Sequence, residues 1–588
     1  MNKLPPILAI ILITIMLVLS VISLRQESAI MDEVAHIPAG YSYLTQRDYR
    51  LNPEHPPLLK DLSAIPLLFI KNINFPDQLY SWTTKVNGQW DFGFNFLYNS
   101  GNDADKIIFL SRLPMLLLLI ALGFFIWRWT KKLYGKWPAL LAIFLFALAP
   151  TFIAHGRYVT TDVGAAFGFF AAIYFFIKWL QESNKKNLIL AGIFFGIAQL
   201  IKFSLFLLFP YFGLLLLIWI FIKWQENKKF FKTLIAYSLK FLLILIIGYI
   251  LIYPVYLFHI SNYPAERQIS DTDFLASHFP FKPIYKPLVW MAEQPILRPY
   301  AQYFLGLFMV FQRATGGNTT YFLGEVTNQG WSNYFPIVYL IKTPFALHIL
   351  TIISLLFLAW QIRFKKAKQW LKKYFVEISM LIFLIVYWTV SIKSNLNIGV
   401  RHILPIFPFV YILISGQIKR LFDYIKKLEP RPGKYLTLIG WNVLIITCLV
   451  LYGLSSLSIF PYYLTHFNEL VGGSENGYKY VTDSNLDWGQ DLKRLAKWVD
   501  EQKIEKIKVD YFGGATVEYY LGDKYQEWHG DWDSTGLKGW LAVSATFLQQ
   551  GRAIPTKGWQ QPTDYYMWLN QYEPVKVIGN SIFVFYID

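Results

Sequence analysis

The sequence contains a single cysteine, Cys448, in 588 residues. One cysteine cannot form an intramolecular disulfide, and it cannot build a cysteine-based metal site. Charged residues are also scarce, at 16% of the chain, whereas hydrophobic residues make up 55%. A chain of this length and composition is too apolar for one water-soluble domain and too long for one simple bundle. The composition therefore indicates a protein with many membrane-spanning helices.

Eleven apolar runs approach the roughly 20 residues that a helix needs to cross a bilayer. They predict spans near 7–24, 107–127, 138–154, 159–180, 188–201, 203–222, 233–258, 335–360, 375–392, 402–418 and 438–458. No small-residue cleavage site follows the first run near residues 20–28, so we interpret that run as a retained span. The predicted fold class is an all-α polytopic membrane protein.

The net charge of +17 does not indicate a nucleic-acid partner, because the basic residues concentrate in alternate connections between the predicted spans. These connections are residues 128–137, 181–187, 223–232, 361–375 and 418–435. The positive-inside rule places such connections in the cytoplasm. The sequence therefore predicts a multi-pass protein of the cytoplasmic membrane, with a cytoplasmic N-terminus and an extracytoplasmic tail.

The chain divides into two predicted parts. Residues 1–460 form a transmembrane module whose external loops, 25–106 and 259–334, are too long to be simple connectors. Residues 461–588 show strand patterns at 506–512 and 581–588, a helix pattern at 487–502 and a strand-to-helix pattern at 539–550. The tail is therefore predicted to be a small extracytoplasmic α/β domain.

Two adjacent carboxylates, Asp32 and Glu33, follow the first predicted span directly. Carboxylates at a membrane surface are costly to hold near lipid unless they are used. Their position suits acid–base or substrate-orienting work on a lipid-borne substrate. Glu33, His36 and His55 do not have zinc-like spacing, so no cofactor is predicted, and a divalent metal remains an open alternative.

The first external loop also contains the segment NPEHPPLLK, with His55 and Lys60. The two prolines restrict the backbone around His55, so its imidazole is held on a rigid turn at the membrane surface. Such a turn could bind a phosphate or an acceptor hydroxyl. The alternative is a turn that only docks an interfacial helix.

A second external turn, PTFIAHGRYVTTDVG, places His155, Arg157 and Asp162 within eight residues. The planar guanidinium of Arg157 suits a phosphate group because it can bind two oxygens at once. Asp162 enters the next predicted span, where a carboxylate needs a partner. The alternative is a structural ion pair between Arg157 and Asp162.

The late turn SIKSNLNIGVRHILPIFPF contains Arg401 and His402 at the external end of a span. Cations on the outer side oppose the positive-inside trend, which favours an anion-binding site there. Lys202 is another predicted external cation, and a contact with lipid headgroups is its alternative. In the loop 259–334, Tyr321 could stack on a sugar or prenyl unit, and Glu325 is a further external carboxylate.

Four motifs occur in the order found in polytopic glycosyltransferases that use lipid-phosphate sugars. They are the acidic pair Asp32 and Glu33, the segment His55 to Leu58 with Lys60, the turn Arg157, Tyr158 and Asp162, and the span start Arg401, His402, Leu404, Pro405, Phe407 and Pro408. The stretch 321–344 is also similar. The chain thus resembles the protein O-mannosyltransferase and aminoarabinose-transferase group, and is similar to glycosyltransferase family 39, over about residues 1–460.

This resemblance implies a GT-C fold and an inverting sugar transfer on the outer face of the membrane. The donor would be a polyprenyl-phosphate sugar of the hexosyl or mannosyl type, and the acceptor a lipid, a glycan or a protein. The resemblance assigns Asp32 as the general base or as the carboxylate that orients the acceptor, with Glu33 supporting it. Arg157, and with it Lys60, Arg401 and His402, would neutralise the leaving phosphate. Membrane lipids are the remaining expected partner.

Two other functions are compatible with the composition. A transporter or flippase of lipid-linked sugars would also need many spans and an external anion site. Transporters usually show internal repeats and polar or broken helices at the midplane, whereas the ionisable residues here gather at the external ends of spans. A non-catalytic envelope scaffold is the third alternative, and it predicts that Asp32 can be replaced without consequence.

Overall fold

The computed structural model describes residues 3–362, 371–428 and 432–588. The helices of the membrane part are α1 (Leu4–Leu24), α2 (Met31–Thr45), α3 (Leu58–Ala64), α4 (Tyr80–Thr83), α5 (Gln89–Phe94), α6 (Ala104–Arg112), α7 (Leu116–Tyr134), α8 (Lys136–Ala147), α9 (Pro150–His155), α10 (Asp162–Gln181), α11 (Lys185–Ile201), α12 (Leu208–Asn227), α13 (Phe230–His259), α14 (Ala265–Ser277), α15 (Tyr285–Glu293), α16 (Arg298–Gly316), α17 (Tyr334–Lys342), α18 (Phe345–Ile362), α19 (Phe375–Ile392), α20 (Phe407–Lys427) and α21 (Pro432–Ser458). The tail adds α22 (Leu492–Glu501), α23 (Val517–Leu521) and α24 (Ala545–Gln550). The strands are β1 (Thr320–Phe322), β2 (Glu325–Thr327), β3 (Ile507–Asp510), β4 (Tyr525–Glu527), β5 (Gly539–Ser544), β6 (Ile554–Pro555), β7 (Lys576–Ile578) and β8 (Ile582–Ile587).

Nine helical segments in the described part of the chain are long and apolar enough to cross a membrane. They are Leu4–Leu24, Ala104–Tyr134, Asp162–Gln181, Phe203–Glu226, Phe230–His259, Phe345–Ile362, Phe375–Ile392, Val400–Lys427 and Tyr435–Ser458. The spans predicted near 138–154 and 188–201 form shorter helices, α8 with 12 residues and α11 with 17 residues. The predicted class, a polytopic helical membrane protein with a small α/β tail, is confirmed.

Prolines interrupt two of the predicted spans. The span predicted near 138–154 ends at Ala147, because Ala149 is extended in front of Pro150. The span predicted near 335–360 is divided into α17 and α18, because Thr343 is extended in front of Pro344. The residue before a proline is disfavoured in the helical conformation, which explains both breaks.

Two of the predicted basic connections, 361–375 and 418–435, include residues that the structure does not describe. The second also begins later in the structure than the sequence predicts. Helix α20 continues to Lys427, beyond the predicted start of the connection at residue 418. Residues 429–431 of that connection lie outside the described residues, as do residues 363–370 of the connection predicted at 361–375.

The transmembrane helices differ in how much of their surface other helices cover. Helix α10 and the segment Val400–Lys427 are largely enclosed by protein, whereas α1, α13 and Tyr435–Ser458 are mostly uncovered. Large apolar side chains such as Leu239 and Ile250 point outward from α13. An apolar surface of this kind is suited to contact with lipid. The uncovered helices therefore lie at the periphery of the bundle, and the enclosed helices form its centre. Both central segments begin next to the cavity described below.

The tail forms a five-stranded sheet in the order β4-β3-β5-β8-β7. Strand β3 pairs in parallel with β4 and β5, and β8 pairs antiparallel with β5 and β7. Helix α22 covers the sheet with Leu492, Leu495 and Val499, the face predicted from the helical spacing. The strands and helices predicted in the tail are therefore confirmed, and the division of the chain near residue 460 remains a proposal.

A second sheet connects the tail to the long loop 259–334. The hairpin β1–β2 belongs to this loop, and β6 of the tail pairs with β2 in parallel. Tyr321 on β1 donates a hydrogen bond to the carbonyl of Lys479 at 3.0 Å. The tail is thus joined to the membrane part through backbone pairing as well as side-chain contacts.

Candidate active site

A cavity of about 460 Å³ opens beside the first residues of α10 and of the segment Val400–Lys427. Its lining consists of a polar set of side chains and an apolar set, which is called the apolar groove below. The polar lining consists of Asp32, His36, Glu54, His55, Lys202, Arg313, Arg401 and His402, among others. The groove is lined by Phe206, Leu207, Pro210, Leu307, Val310 and Phe311. A cavity of this form accommodates a ligand with a charged head and an apolar chain.

Asp32 lies in the first turn of α2 and reaches the cavity, with 22% of its side chain exposed. Its Oδ2 accepts a hydrogen bond from Nη1 of Arg401 at 2.7 Å. Burial raises the pKa of Asp32, but the charge of Arg401 and the neighbouring His36 outweigh burial, so the pKa lies below its ordinary value. Asp32 is therefore ionised at neutral pH and is able to accept a proton.

His36 stands one helical turn after Asp32 and lines the same cavity. Its Nδ1 is 2.9 Å from the carbonyl of Val159, which requires that Nδ1 carries the proton and donates. Burial lowers the pKa of His36, although Asp32 opposes this effect, so the ring is neutral with Nε2 free to accept. The sequence offered His36 only as a metal-ligand candidate.

Cations and carboxylates form ion pairs in the polar lining of the cavity and next to it. Lys202 lies between α11 and the 3₁₀ turn Phe203–Leu207, and its Nζ is 2.5 Å from Oδ1 of Asp162. Arg401 bridges Asp32 and Asp162, with its Nη1 3.4 Å from Oδ2 of Asp162. Asp162 therefore pairs with Lys202 and Arg401, and the alternative pair with Arg157 is not the one formed.

His55 also lines the cavity, and its ring lies 5.0 Å from the ring of His36 in an edge-to-face arrangement. Burial, followed by the nearby His36 and Lys60, keeps the pKa of His55 well below its ordinary value. Among the described residues its buried Nδ1 has no hydrogen-bond partner. A neutral imidazole with an unused buried nitrogen is suited to a hydroxyl group of a ligand.

Lys60 does not line the cavity; it is buried behind the turn that carries His55. Its Nζ donates to the carbonyl of His55 at 2.8 Å and to the carbonyl of Asn52 at 2.9 Å. Burial lowers the pKa of Lys60 well below its ordinary value. The side chain therefore fixes the turn and positions His55, and a direct contact with phosphate would require it to leave these partners.

Glu33 points away from the cavity and forms a buried pair with Arg112, in which the two side chains are 0% and 1% exposed. Its Oε2 accepts from Nη2 of Arg112 at 2.6 Å and from the amide of Ile30 at 3.0 Å. Its Oε1 accepts from Nε of Arg112 at 2.8 Å and from the amide of Val159 at 3.0 Å. This network fixes the start of α2, on which Asp32 is placed.

Arg157 is also buried away from the cavity. Its Nη2 donates to Oε1 of Glu27 at 2.6 Å, and Tyr158 donates to Oε2 of the same carboxylate at 3.0 Å. His155 is buried beside Trp488, and burial lowers its pKa to about 3. The turn 155–158 thus forms a wall behind the site. The assignment of Arg157 to the leaving phosphate stays a prediction, and the buried position of Arg157 does not favour it.

Tyr321 and Glu325 lie on the hairpin β1–β2, and neither lines the cavity. Tyr321 is buried against the tail, whereas Glu325 is exposed. Within the described residues, no group of three or more His, Cys, Asp or Glu side chains is arranged to hold a metal ion. The divalent metal named as an alternative in the sequence analysis is therefore not tested by these residues.

Three residues of the site surroundings were missed from the sequence. Arg112 lies within a predicted span, and an arginine there signals a buried carboxylate partner. Ser484 and Trp488 of the tail both contact Arg401. They carried no recognisable signal, because the tail was considered as a separate domain.

Asp487 gives the region a pH dependence that can be measured. Burial, with the neighbouring Asp491 and Asp483, raises the pKa of Asp487 to about 8, although two hydrogen bonds from Thr546 oppose the rise. The folded protein therefore binds this proton more tightly than the unfolded chain, so the stabilising contribution is complete below about pH 4 and is lost as the pH rises through about 8. The expected slope from this group is at most about 1.4 kcal/mol per pH unit.

We expect the Asp487→Asn variant to have a higher apparent Tm than the wild type at pH 8, and a clearly smaller advantage at pH 5. Asn retains an oxygen for the amide of Thr546, which donates to Asp487 at 2.9 Å, and it carries no charge. The measurement is thermal unfolding of the purified protein at both pH values. Asp500→Asn on the exposed face of α22 is the matched control. An equal Tm difference at both pH values would contradict the assignment.

Comparison with known proteins gives one family match. Residues 101–255 match the family model described as dolichyl-phosphate-mannose-protein mannosyltransferase. This match confirms, over those residues, the resemblance stated from the motifs. No curated protein sequence matches the chain.

Three solved structures are similar to the chain at low identity. ArnT from Cupriavidus metallidurans bound to undecaprenyl phosphate is 13% identical with a TM-score of 0.43, over 98% of this chain and 97% of that chain. The S. cerevisiae Pmt1–Pmt2 protein O-mannosyltransferase bound to its sugar donor is 20% identical with a TM-score of 0.34, over 44% and 34%. An Archaeoglobus fulgidus oligosaccharyltransferase tethered to an acceptor peptide is 12% identical with a TM-score of 0.43, over 87% and 63%.

Proposed function

We propose, with the family match of residues 101–255 as the premise, that the protein is a membrane glycosyltransferase. It moves a sugar from a polyprenyl-phosphate carrier to an acceptor on the outer face of the membrane. One observation carries the proposal: the carboxylate Asp32 and the cations Arg401 and Lys202 share one cavity with an apolar groove. The proposed sugar is of the hexosyl or mannosyl type, and lipid, glycan and protein acceptors remain open.

The shape of the cavity suits a lipid-linked donor. The side chains of α16 and the start of α12 give the groove an apolar surface, which favours the first isoprene units of a prenyl chain. The guanidinium of Arg401 and the ammonium of Lys202 line the same cavity as the groove, so in the proposed complex they would meet the phosphate. The sugar would then occupy the space between these cations and Asp32.

The proposed reaction is a single displacement. The acceptor hydroxyl attacks the anomeric carbon, and Asp32 takes the proton of that hydroxyl as the new carbon–oxygen bond forms. The bond between the anomeric carbon and the phosphate oxygen breaks, and its electron pair remains on the phosphate. Arg401 and Lys202 stabilise the charge that grows on the phosphate oxygens. Attack on the face opposite the leaving phosphate inverts the anomeric centre.

The remaining candidate residues take supporting roles in this proposal. Glu33 holds α2 and thereby Asp32, as the pair with Arg112 suggests. His55 and His36 are neutral hydrogen-bonding groups for sugar or acceptor hydroxyls, and His402 lines the phosphate end. The buried partners of Arg157 and Lys60 support structural roles, which moves the contact with phosphate to Arg401 and Lys202.

The direction of α10 supports the placement of the cavity on the outer face. This helix begins at Asp162 beside the cavity and ends at Gln181, where the basic connection 181–187 starts. Basic connections are retained in the cytoplasm, so the cavity and the tail would face the opposite side. The cavity residues also gather at one end of the spans rather than at mid-membrane, which disfavours a flippase.

The test uses purified protein in lipid with radiolabelled polyprenyl-phosphate sugars, with and without a membrane extract as acceptor. We expect free polyprenyl phosphate to be released only when the acceptor is present, and the labelled product to identify the acceptor class. Movement of the intact lipid between leaflets without release of polyprenyl phosphate would contradict the proposal and support the flippase.

A further inference from the structure

The tail segment 484–490 contacts the residues that lead into Asp32. The amide of Met31 donates to the carbonyl of Trp488 at 3.0 Å, and the hydroxyl of Ser28 donates to the carbonyl of Gly489 at 2.7 Å. The amide of Ser28 also donates to the carbonyl of Gln490 at 3.1 Å. The start of α2, and therefore the position of Asp32, is thus held by the backbone of the tail.

The same segment contacts Arg401 from the other side. The guanidinium carbon of Arg401 lies 4.1 Å from the ring centroid of Trp488, within the range of a cation–π contact. Its Nε donates to the hydroxyl of Ser484 at 3.1 Å. The amide of Val400 donates to Oδ1 of Asn485 at 2.9 Å, which fixes the backbone next to the arginine.

These contacts determine which hydrogen-bonding groups of Arg401 are already used. Nε is bonded to Ser484, and Nη1 is bonded to Asp32. Among the described residues, Nη2 makes no hydrogen bond, so it is the group left for a ligand oxygen. The flat ring of Trp488 also fixes the plane of the guanidinium, which an arginine with four rotatable side-chain bonds does not fix by itself.

The segment is rigid enough to impose this geometry. Trp488 is 1% exposed, and Asn485 is held by Tyr334 at 2.9 Å and by Nζ of Lys342 at 2.5 Å. Gln490 closes the turn, because it accepts from the amide of Trp488 at 2.9 Å and donates to the carbonyl of Leu486 at 3.0 Å. The tail therefore forms a fixed clamp, residues 484–490, between α2 and Arg401.

We propose that Ser484 and Trp488 are positioning residues of the sugar transfer, acting through Arg401. They orient its guanidinium so that one edge meets Asp32 and Nη2 meets the donor phosphate. This inference rests on the proposed function. It makes the tail a part of the active site, so that removal of residues 465–588 is expected to abolish transfer even if the spans remain folded.

The first experiment compares Trp488→Leu, Trp488→Phe and Ser484→Ala with the wild type in the polyprenyl-phosphate release assay. We expect Trp488→Leu to lower kcat by about tenfold or more while KM for the donor changes less than about threefold, because the orientation matters most when charge develops on the phosphate. Trp488→Phe keeps a flat ring and is expected to recover most of kcat. Ser484→Ala is expected to fall between them.

The matched control is Trp540→Leu, because this tail tryptophan lies on β5 and packs on Trp498 and Tyr586 rather than on Arg401. Its kcat should equal that of the wild type. If Trp488→Leu does not fold, Ser484→Ala and Trp488→Phe carry the test, since both remove little volume. An unchanged kcat in Ser484→Ala together with an equal loss in Trp488→Phe and Trp488→Leu would overturn the inference.

A second experiment separates positioning from general damage by repeating Ser484→Ala and Trp488→Leu in an Arg401→Lys background. Lysine retains the charge but has no planar group and no Nε for Ser484. If the two tail residues act through Arg401, their substitution should change kcat little in that background. An equal fold-loss in both backgrounds would overturn the inference while leaving the proposed function intact. A wild type that releases no polyprenyl phosphate would overturn both.

Discussion

Replacing Asp32 by Asn is expected to lower the rate of sugar transfer by about 10²–10⁴-fold, the range typical of a lost general base. Asn has the same size and keeps an oxygen that accepts from Nη1 of Arg401, so the geometry of the cavity is retained. It cannot take the proton of the acceptor hydroxyl. The loss should appear in kcat, with binding of the donor lipid largely preserved.

The measurement is release of polyprenyl phosphate by the purified variant beside the wild type, with thermal unfolding as the check on folding. The control is Asp77→Asn, which changes an exposed aspartate in the same long segment between α1 and α7. We expect Asp77→Asn to keep full activity. If Asp32→Asn retains more than about a tenth of the activity, Asp32 is not the base, and the neutral His36 becomes the next candidate for that role.

Replacing the adjacent Glu33 by Ala is expected to affect stability rather than the chemical step. We expect the free energy of unfolding to fall by about 3–5 kcal/mol. The substitution leaves Arg112 charged and buried, and it removes the acceptor of the amides of Ile30 and Val159. An uncompensated buried charge accounts for most of this cost. Any loss of transfer should therefore follow the loss of folded protein.

Thermal unfolding and the yield of monodisperse protein measure this effect, and specific activity is calculated per folded molecule. Glu266→Ala on the exposed face of α14 is the control and is expected to change stability by less than about 0.5 kcal/mol. A Glu33→Ala protein with wild-type stability and no activity would show that Glu33 acts in the chemistry instead.

The contrast between Asp32 and Glu33 shows where sequence reasoning ends. The position of the acidic pair after the first span predicted a functional site, and His55, Arg401 and His402 line the cavity with Asp32 as the motifs indicated. Consecutive helical residues point about 100° apart, so only one carboxylate of the pair faces the cavity. Which one does so depends on Arg112, whose place in the packing cannot be read from the local pattern.

Arg157 illustrates the same limit for the cations. Its sequence context, a polar turn before a span, is equally suited to binding a phosphate and to a buried ion pair. The deciding residue is Glu27, which lies 130 residues earlier in the chain. The helices and the tail strands were predictable because their periodicity is local, whereas ion-pair partners are set by tertiary packing.

The clamp of the tail has a consequence for how the protein is made. The hydrogen bond between Ser28 and Gly489 joins residues that lie 461 positions apart. During synthesis the segment with Asp32 is made first, and the segment with Trp488 is made only after all the helices that lie between them in the chain. Contacts of such long sequence separation form late in folding. The cavity is therefore incomplete in a nascent chain until the tail has been synthesised and its segment 484–490 has docked against α2 and Arg401.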